Sequence, residues 1–308
     1  MTDWFATPKR LTLAVASVAV MAAGLWASPS FAKDPFRTSD PHAIGDQTEA
    51  AFNAVFRQGD YVAARPYLEK ALQSEASDPL PYSLRASLAY MESDWDNFKR
   101  YATDTREIAE KLKATDPLRG NLYVAVGHFL EGAYAISPAG AGPVKGSPQA
   151  LSKLQQVFDA LDEAAAIDEN DPELNLIKGY MDLMVAVYLP FAKPGEAIER
   201  MEKYAGPQYL AYRGIALGQR DLDQQTEALE SVEKALEMTP DNPELHYLKA
   251  QILVRSDKDG ESLAWFNKAL EKQAQLLPPV VKQIKWEACR AENRVKNLQR
   301  SCQAIANQ

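Results

Sequence analysis

The sequence predicts an all-α fold, an extended array of helical hairpins, on three observations. Apolar residues recur at intervals of three and four rather than alternating, within segments rich in Ala, Leu, Glu, Gln and Lys. The chain has 308 residues, 46% of them hydrophobic and 25% charged, which exceeds one average domain and leaves two globular domains or a repetitive array. Self-comparison favours the array. Lys234-Ala235-Leu236 and Lys268-Ala269-Leu270 lie 34 residues apart, as do Ala216 and Ala250, Ala228 and Ser262, and Val232 and Phe266. A fixed period of this size means stacked supersecondary units.

At the N-terminus, Lys9 and Arg10 precede an apolar run from Leu11 to Ala27, and Ser30-Phe31-Ala32 puts small residues where signal peptidase reads them. Residues 1–32 are therefore expected to be a cleaved signal peptide. The alternative is an uncleaved anchor, but the run of 17 residues is short of the roughly 20 that cross a bilayer. No later stretch could span a membrane, so the mature chain is expected to be a non-membrane-spanning protein of an exported, oxidising compartment. Residues 33–44 read as a linker, and the array occupies 45–277.

The first unit, 45–78, contains FRQGDYVAARPYLEKAL: Gly59 closes one helix, Asp60 can cap the next, and Ala64, Leu68 and Ala71 hold its packing positions. Thr48, Ala51 and Phe52 make a poor first helix. Pro66 removes the hydrogen bond to the Val62 carbonyl, which predicts a kink or a late start in the second. The unit 79–112 keeps Tyr82, Ala86 and an Asp94-Trp95 turn but has Phe98 in place of an alanine, so its packing must differ. Residues 118–171 read as a hairpin joined by SPAGAGPVKGSPQ, 137–149. A further unit starts at Pro172, with Gly179 where Ala250 lies, and its second helix is delayed to Glu196 by Leu189-Pro190 and Lys193-Pro194-Gly195.

The unit Tyr209 to Asn242 has the clearest pattern. Tyr212, Ile215, Ala216, Ala228, Val232, Ala235 and Pro240, with Gln219 in place of an aromatic, resemble the signature of the tetratricopeptide repeat (TPR). The resemblance covers about six hairpins, degenerate between 118 and 208. It implies a right-handed superhelix of paired antiparallel helices, as in exported bacterial TPR proteins and, by overall appearance, the secreted repeat proteins of cyanobacteria. A periplasmic or thylakoid-lumenal location follows from that likeness. It also implies a concave groove lined by the first helices that receives a protein or peptide partner. Carried onto this chain, the groove positions are Tyr180, Leu183 and Met184; Arg213, Leu217, Arg220 and Asp221; and Tyr247, Gln251, Val254 and Arg255. The arginines could bind carboxylates in bidentate fashion, with the tyrosines as flat contacts, or could instead pair with the acidic body. The Lys and Asn set that clamps a terminal carboxylate in some family members is not reproduced.

Residues 278–308 carry six Lys/Arg against two Glu, whereas residues 33–277 hold a net charge of −13. So acidic a body argues against nucleic acid as a partner. After Pro278-Pro279, the spacing of Ile284, Ala288, Ala291, Val295, Leu298, Cys302 and Ile305 forms one apolar stripe. A capping helix or helical hairpin on the last repeat is expected, with a membrane-surface or partner helix as the alternative. On a straight helix Cys289 and Cys302 would stand about 20 Å apart, so a disulfide needs a bend, for which Val295 between Asn293 and Asn297 is the midpoint. Export favours the disulfide, and the unbroken stripe favours two thiols.

The sequence carries no hydrolytic or metal-binding motif. His42, His128 and His246 are isolated in sequence, and Asp257-x-Asp259-Gly260 lacks the glutamate of a calcium loop, reading as a turn instead. Gly140, Gly142 and Gly146 miss the dinucleotide spacing. Neither cofactor nor metal is expected. Three functions stand open: a non-catalytic interaction scaffold, an envelope factor recognising a glycan or lipid, and a catalytic site assembled from scattered residues.

Overall fold

The structure, a computed structural model, describes residues 34–188 and 193–307. The expected signal segment and residues 189–192 of the loop containing Leu189-Pro190 lie outside the described residues. Among the described residues every regular element is helical. Six hairpins follow one another. They are α1 (Asp46–Phe52), continued by a π-helical turn (Asn53–Gln58), with α2 (Tyr61–Ser74); α3 (Leu80–Met91) with α4 (Trp95–Leu112); and α5 (Pro117–Ile136) with α7 (Ser147–Ala165), joined through the short α6 (Gly142–Lys145). Next come α8 (Pro172–Tyr188) with α9 (Pro194–Tyr204), α10 (Gln208–Asp221) with α11 (Gln225–Met238), and α12 (Pro243–Arg255) with α13 (Asp259–Glu271). A cap follows, made of α14 (Pro278–Lys296) and α15 (Cys302–Ala306). This is the all-α hairpin solenoid with a C-terminal cap that the sequence predicts.

Local chemistry sets the ends of these helices. Asp60, Asp94 and Asp116 each accept a backbone N–H three residues on, and Asn242 accepts that of Glu244. Prolines open α5, α8, α9, α12 and α14, where a missing N–H costs nothing. The turn inside four hairpins repeats one backbone conformation. Gly59, Ser93, Asp223 and Asp257 all have positive φ, at 66, 59, 60 and 58°. Ser93 follows Gly59, and Asp257 follows Asp223, by one repeat of 34 residues, and the left-handed residue lets the second helix fold back on the first.

Alanines govern helix approach. Ala64, Ala71, Ala102, Ala109, Ala216, Ala228, Ala235, Ala250 and Ala269 are all fully buried, so each helix axis can come close to its neighbour. Where Phe98 stands instead, it sits against Tyr90, Trp95 and Tyr134 in an aromatic cluster of its own. The Gly179 position is filled from outside: a Cβ there would meet Met201 Sδ at 2.4 Å.

Two expectations about the first unit need revision. Helix α2 begins at Tyr61 and runs through Pro66 to Ser74 without a late start. Pro66 and Val62 both lie on its exposed side, so water can take the orphaned Val62 carbonyl, and the helix continues. The poor first helix also forms, because a carboxylate from elsewhere supports it. Glu75, just past α2, accepts the N–H groups of Gln47 and Thr48 at 2.9 Å each and the Thr48 hydroxyl at 2.6 Å, an anion placed at a helix N-terminus.

Residues 34–44, read from sequence as a linker, are a packed strap. Phe36 stands edge-on to Phe52 at 4.9 Å. The Asp34 carboxylate accepts the N–H groups of Phe36 and His42, and Arg37 reaches from it to Asp171 and Glu173. Beside this latch, buried Arg119 donates to Glu173 at 3.1 Å and Asp78 at 3.2 Å, and Tyr123 donates to Glu173 at 2.6 Å. Breaking one partner would leave an uncompensated buried charge, which is far costlier than the pair itself.

The array also closes on itself. Asn242 Nδ2 donates to the Phe56 and Arg57 carbonyls at 3.0 and 3.3 Å, and the Tyr61 hydroxyl donates to the Glu244 carboxylate. The first hairpin therefore touches the sixth.

At the C-terminus, Cys289 and Cys302 are bridged, with Cα atoms 5.5 Å apart. The stripe does not run on as one helix. Asn297, at φ 51°, ends α14, and the Asn293 side chain donates to the Arg300 carbonyl at 2.9 Å across the turn. Val295 and Leu298, at the bend, are 46% and 40% exposed, whereas Ile284 and Ala291 are fully buried. The basic helix also grips the acidic array, with Arg294 bidentate on Asp259 at 2.7 and 2.5 Å.

Candidate functional site

The first helices of the hairpins line the inner side of the array, and the groove positions named from sequence do not all come to one surface. They divide between two cavities. Tyr180, Met184, Arg213 and Leu217 line a chamber of about 500 Å³, together with Phe36 and Phe52 of the N-terminal region and Phe129 of α5. Arg220, Gln251 and Arg255 line a smaller pocket of about 300 Å³ against the cap helix, with Val254, Trp286 and Arg290. Tyr247 lies behind it, its ring 6.2 Å from Phe266 and its hydroxyl beside Gln251 and Glu287.

Most of the arginine charge is already used within the chain. Arg213 donates to Glu244 at 2.9 Å and is only 19% exposed. Burial alone would lower its pKa, but the Glu244 carboxylate prevails and raises it. Burial pushes the neighbouring Tyr180 hydroxyl up to about 12, and that hydroxyl donates to the Leu210 carbonyl at 2.8 Å. Burial and Glu244 together raise Tyr61 well above the usual range. Arg213, Glu244 and Tyr61 thus join the fifth, sixth and first hairpins as a closing lock.

Arg220 grips Asp221 through two bonds of 2.9 and 2.8 Å and the Gln251 amide oxygen at 2.6 Å. Arg255 donates to the Arg220 carbonyl at 3.0 Å and lies 3.2 Å from Asp221. These contacts form a partition between the two cavities, since Asp221 faces the chamber and Arg220 the pocket.

Sequence reading missed the outer wall of the pocket. Arg290, exposed on α14, stacks its guanidinium over the Trp286 ring at 4.6 Å and has no carboxylate partner among the described residues. Next to it Glu287 accepts from Gln251 at 3.1 and 3.3 Å and from Gln283 at 2.7 Å, so its charge is held by neutral donors. A Trp and an Arg four apart on a basic helix were visible in the sequence. That this face turns towards the groove was not, because it depends on how the cap lies against α12 and α13. The pocket can bind a carboxylate through Arg290 and a flat apolar group on Trp286.

The remaining candidates have structural partners. His42 pairs with Asp116, His128 lies 3.6 Å from Glu131, and His246 Nε2 meets the Pro240 carbonyl at 2.8 Å. Burial lowers His246, keeping it neutral near pH 7. Asp257 and Asp259 form the turn into α13, as read from sequence. Among the described residues no group of three or more His, Cys, Asp and Glu is placed to hold a metal ion.

A tetratricopeptide repeat family model matches residues 214–276, the fifth and sixth hairpins. A search of curated proteins returns no match. Among solved structures, the chain is similar to PilW, a widely conserved type IV pilus biogenesis factor, at 14% identity and a TM-score of 0.45, covering 73% of this chain and 88% of that one. It is also similar to the APC/C hetero-tetramer Cut9-Hcn1, at 11% identity, 83% and 49% coverage and a TM-score of 0.36. The complex of the TPR2AB domain of yeast Sti1 with pHSP90 is a third, at 15%, with 85% and 98% coverage and a TM-score of 0.30. The hairpins, their spacing and the family model define the fold as a TPR-like helical repeat, an architecture suited to a general protein-interaction scaffold.

Proposed function

We propose that this chain is an exported, non-catalytic interaction scaffold that holds a partner protein or peptide at the cap end of its concave surface. The observation that carries the reading is the stacked Arg290–Trp286 pair, open to the Arg220–Gln251–Arg255 pocket, in which Arg290 makes no ion pair among the described residues and the one lining carboxylate, Glu287, is held by Gln251 and Gln283. An exposed arginine fixed on an aromatic ring is a typical binding anchor, because little side-chain entropy remains to be lost. The partner chemistry this favours is an acidic or carboxylate-bearing segment. Export rests on the leader residues Lys9 to Ala32, and the Cys289–Cys302 bridge supports an oxidising compartment.

Capture from the exported fraction with wild type, Trp286→Ala and Arg290→Ala tests the reading. Partners retained by wild type and lost by both variants are expected, whereas identical partner lists would remove the pocket from consideration. A second reading, an envelope factor recognising a lipid rather than a glycan, is favoured by the mostly apolar lining of the chamber.

A further inference from the structure

We propose that the chamber binds one long hydrocarbon chain, the acyl tail of a fatty acid or membrane lipid. This deepens the second reading above and is independent of the cap-end pocket. Its volume of about 500 Å³ is more than three times the ~150 Å³ of an apolar cavity that stays dry and takes up benzene, and falls inside the usual range of ligand sites. Phe52, Phe56, Leu84, Phe129, Met184 and Leu217 supply the walls, from five different hairpins.

The polar side chains of the lining decide what kind of occupant fits. Ser83 donates to the Leu80 carbonyl at 2.7 Å, Ser87 to the Ser83 carbonyl at 3.0 Å and Tyr180 to the Leu210 carbonyl at 2.8 Å. Tyr123 donates to Glu173, Arg213 to Glu244, and Asp221 accepts from Arg220. Each has its partner inside the protein. A peptide lying here would find every one of these side chains already engaged, whereas a hydrocarbon asks for no hydrogen bond.

Closure points the same way. A peptide lying along an open TPR groove needs room to run out at both ends. Here Phe36 of the strap and Phe52 and Phe56 of the first hairpin wall one side of the space, which opens to solvent beside Ser87 and Met184. The Arg220–Asp221 pair stands between the chamber and the cap-end pocket, so the two sites can fail separately.

The full chain with its disulfide intact is titrated with cis-parinaric acid, a long-chain polyene carboxylate whose fluorescence rises on leaving water. Saturable binding of one equivalent is expected. Ser87→Trp fills the chamber, and Met184→Glu charges a wall residue that is already 37% exposed. Each should weaken binding by about tenfold or more, and the second keeps the test open if the first fails to fold. Arg290→Ala should bind as wild type does. Displacement by palmitate alone assigns a free fatty acid, and displacement also by phosphatidylglycerol vesicles assigns a membrane lipid; both uphold the chamber. Absence of saturable binding, wild-type affinity in both wall variants, or displacement by an amphipathic helical peptide but not by palmitate would overturn it.

Discussion

Glu131 on α5 shows how single charges are used in this array. Arg106 donates to it at 2.8 Å and Lys153 at 2.5 Å, and His128 lies within 3.6 Å. Burial would raise its pKa, but the hydrogen bonds from His128, Lys153 and Arg106 and the Arg106 charge win and hold it at about 2, against an ordinary 4.5. A carboxylate more acidic in the folded chain contributes stability that is complete above pH 4.5 and is lost as pH falls through about 2. Chemical denaturation of wild type and Glu131→Gln across this window should therefore give a stability gap that narrows on acidification. Its largest value would be about 3 kcal/mol, the equivalent of the full shift. A gap independent of pH would show that the triad around Glu131 contributes nothing. The groove arginines are a contrasting case. Their residue type was legible as carboxylate-binding, and carboxylates do meet them, but Glu244, Asp221 and Asp223 belong to the chain itself.

At the scale of the element, the hairpin turns offer a direct test of how repeat geometry is encoded. Ser93 holds the left-handed conformation that Gly59 holds one repeat earlier, φ 59° against 66°. A residue with a Cβ pays a steric penalty there that glycine does not. Ser93 is exposed, so Ser93→Gly removes the penalty without opening a cavity. Thermal or denaturant unfolding should show a gain of about 0.5–1 kcal/mol, after the extra chain entropy of glycine is subtracted; a loss would mean that the side chain, not the turn, stabilises this hairpin. The helices themselves were legible because alanine spacing, caps and opening prolines are local signals. The late start suggested by Pro66 does not occur, because Val62 faces water and the lost hydrogen bond is tolerable, which the sequence could not say. The cap is similar: the apolar stripe suggested one helix, and only the turn at Asn297 and the disulfide show that the stripe is folded in two.

For the whole molecule, the repeat period foretold a solenoid and its six hairpins but not that the solenoid closes. Closure rests on contacts 183 to 186 residues apart, Tyr61 with Glu244 and Asn242 with Phe56 and Arg57. No period reveals such pairs, because superhelical curvature accumulates from small differences in packing at each step. Phe98 and Gly179 show where those differences lie. The same is true of the strap, whose sequence resembles a linker until Arg37 finds Asp171 and Glu173 from another hairpin. Closure brings Phe52 and Phe56 of the first hairpin into the lining of the chamber. The chamber reading depends on this contact, whereas the cap-end pocket is built by α10, α12 and α14 alone.

The distance between the two ends that meet is therefore the measurement of choice. Spin labels on Arg57→Cys and Asp241→Cys, both exposed positions flanking the Asn242 contact, can be read by double electron–electron resonance, with Cys289 and Cys302 unreactive in their disulfide. A short, narrow distance distribution is predicted. A broad or long one, with the labels separated by the width of several stacked hairpins, would mean an open superhelix and contradict the account.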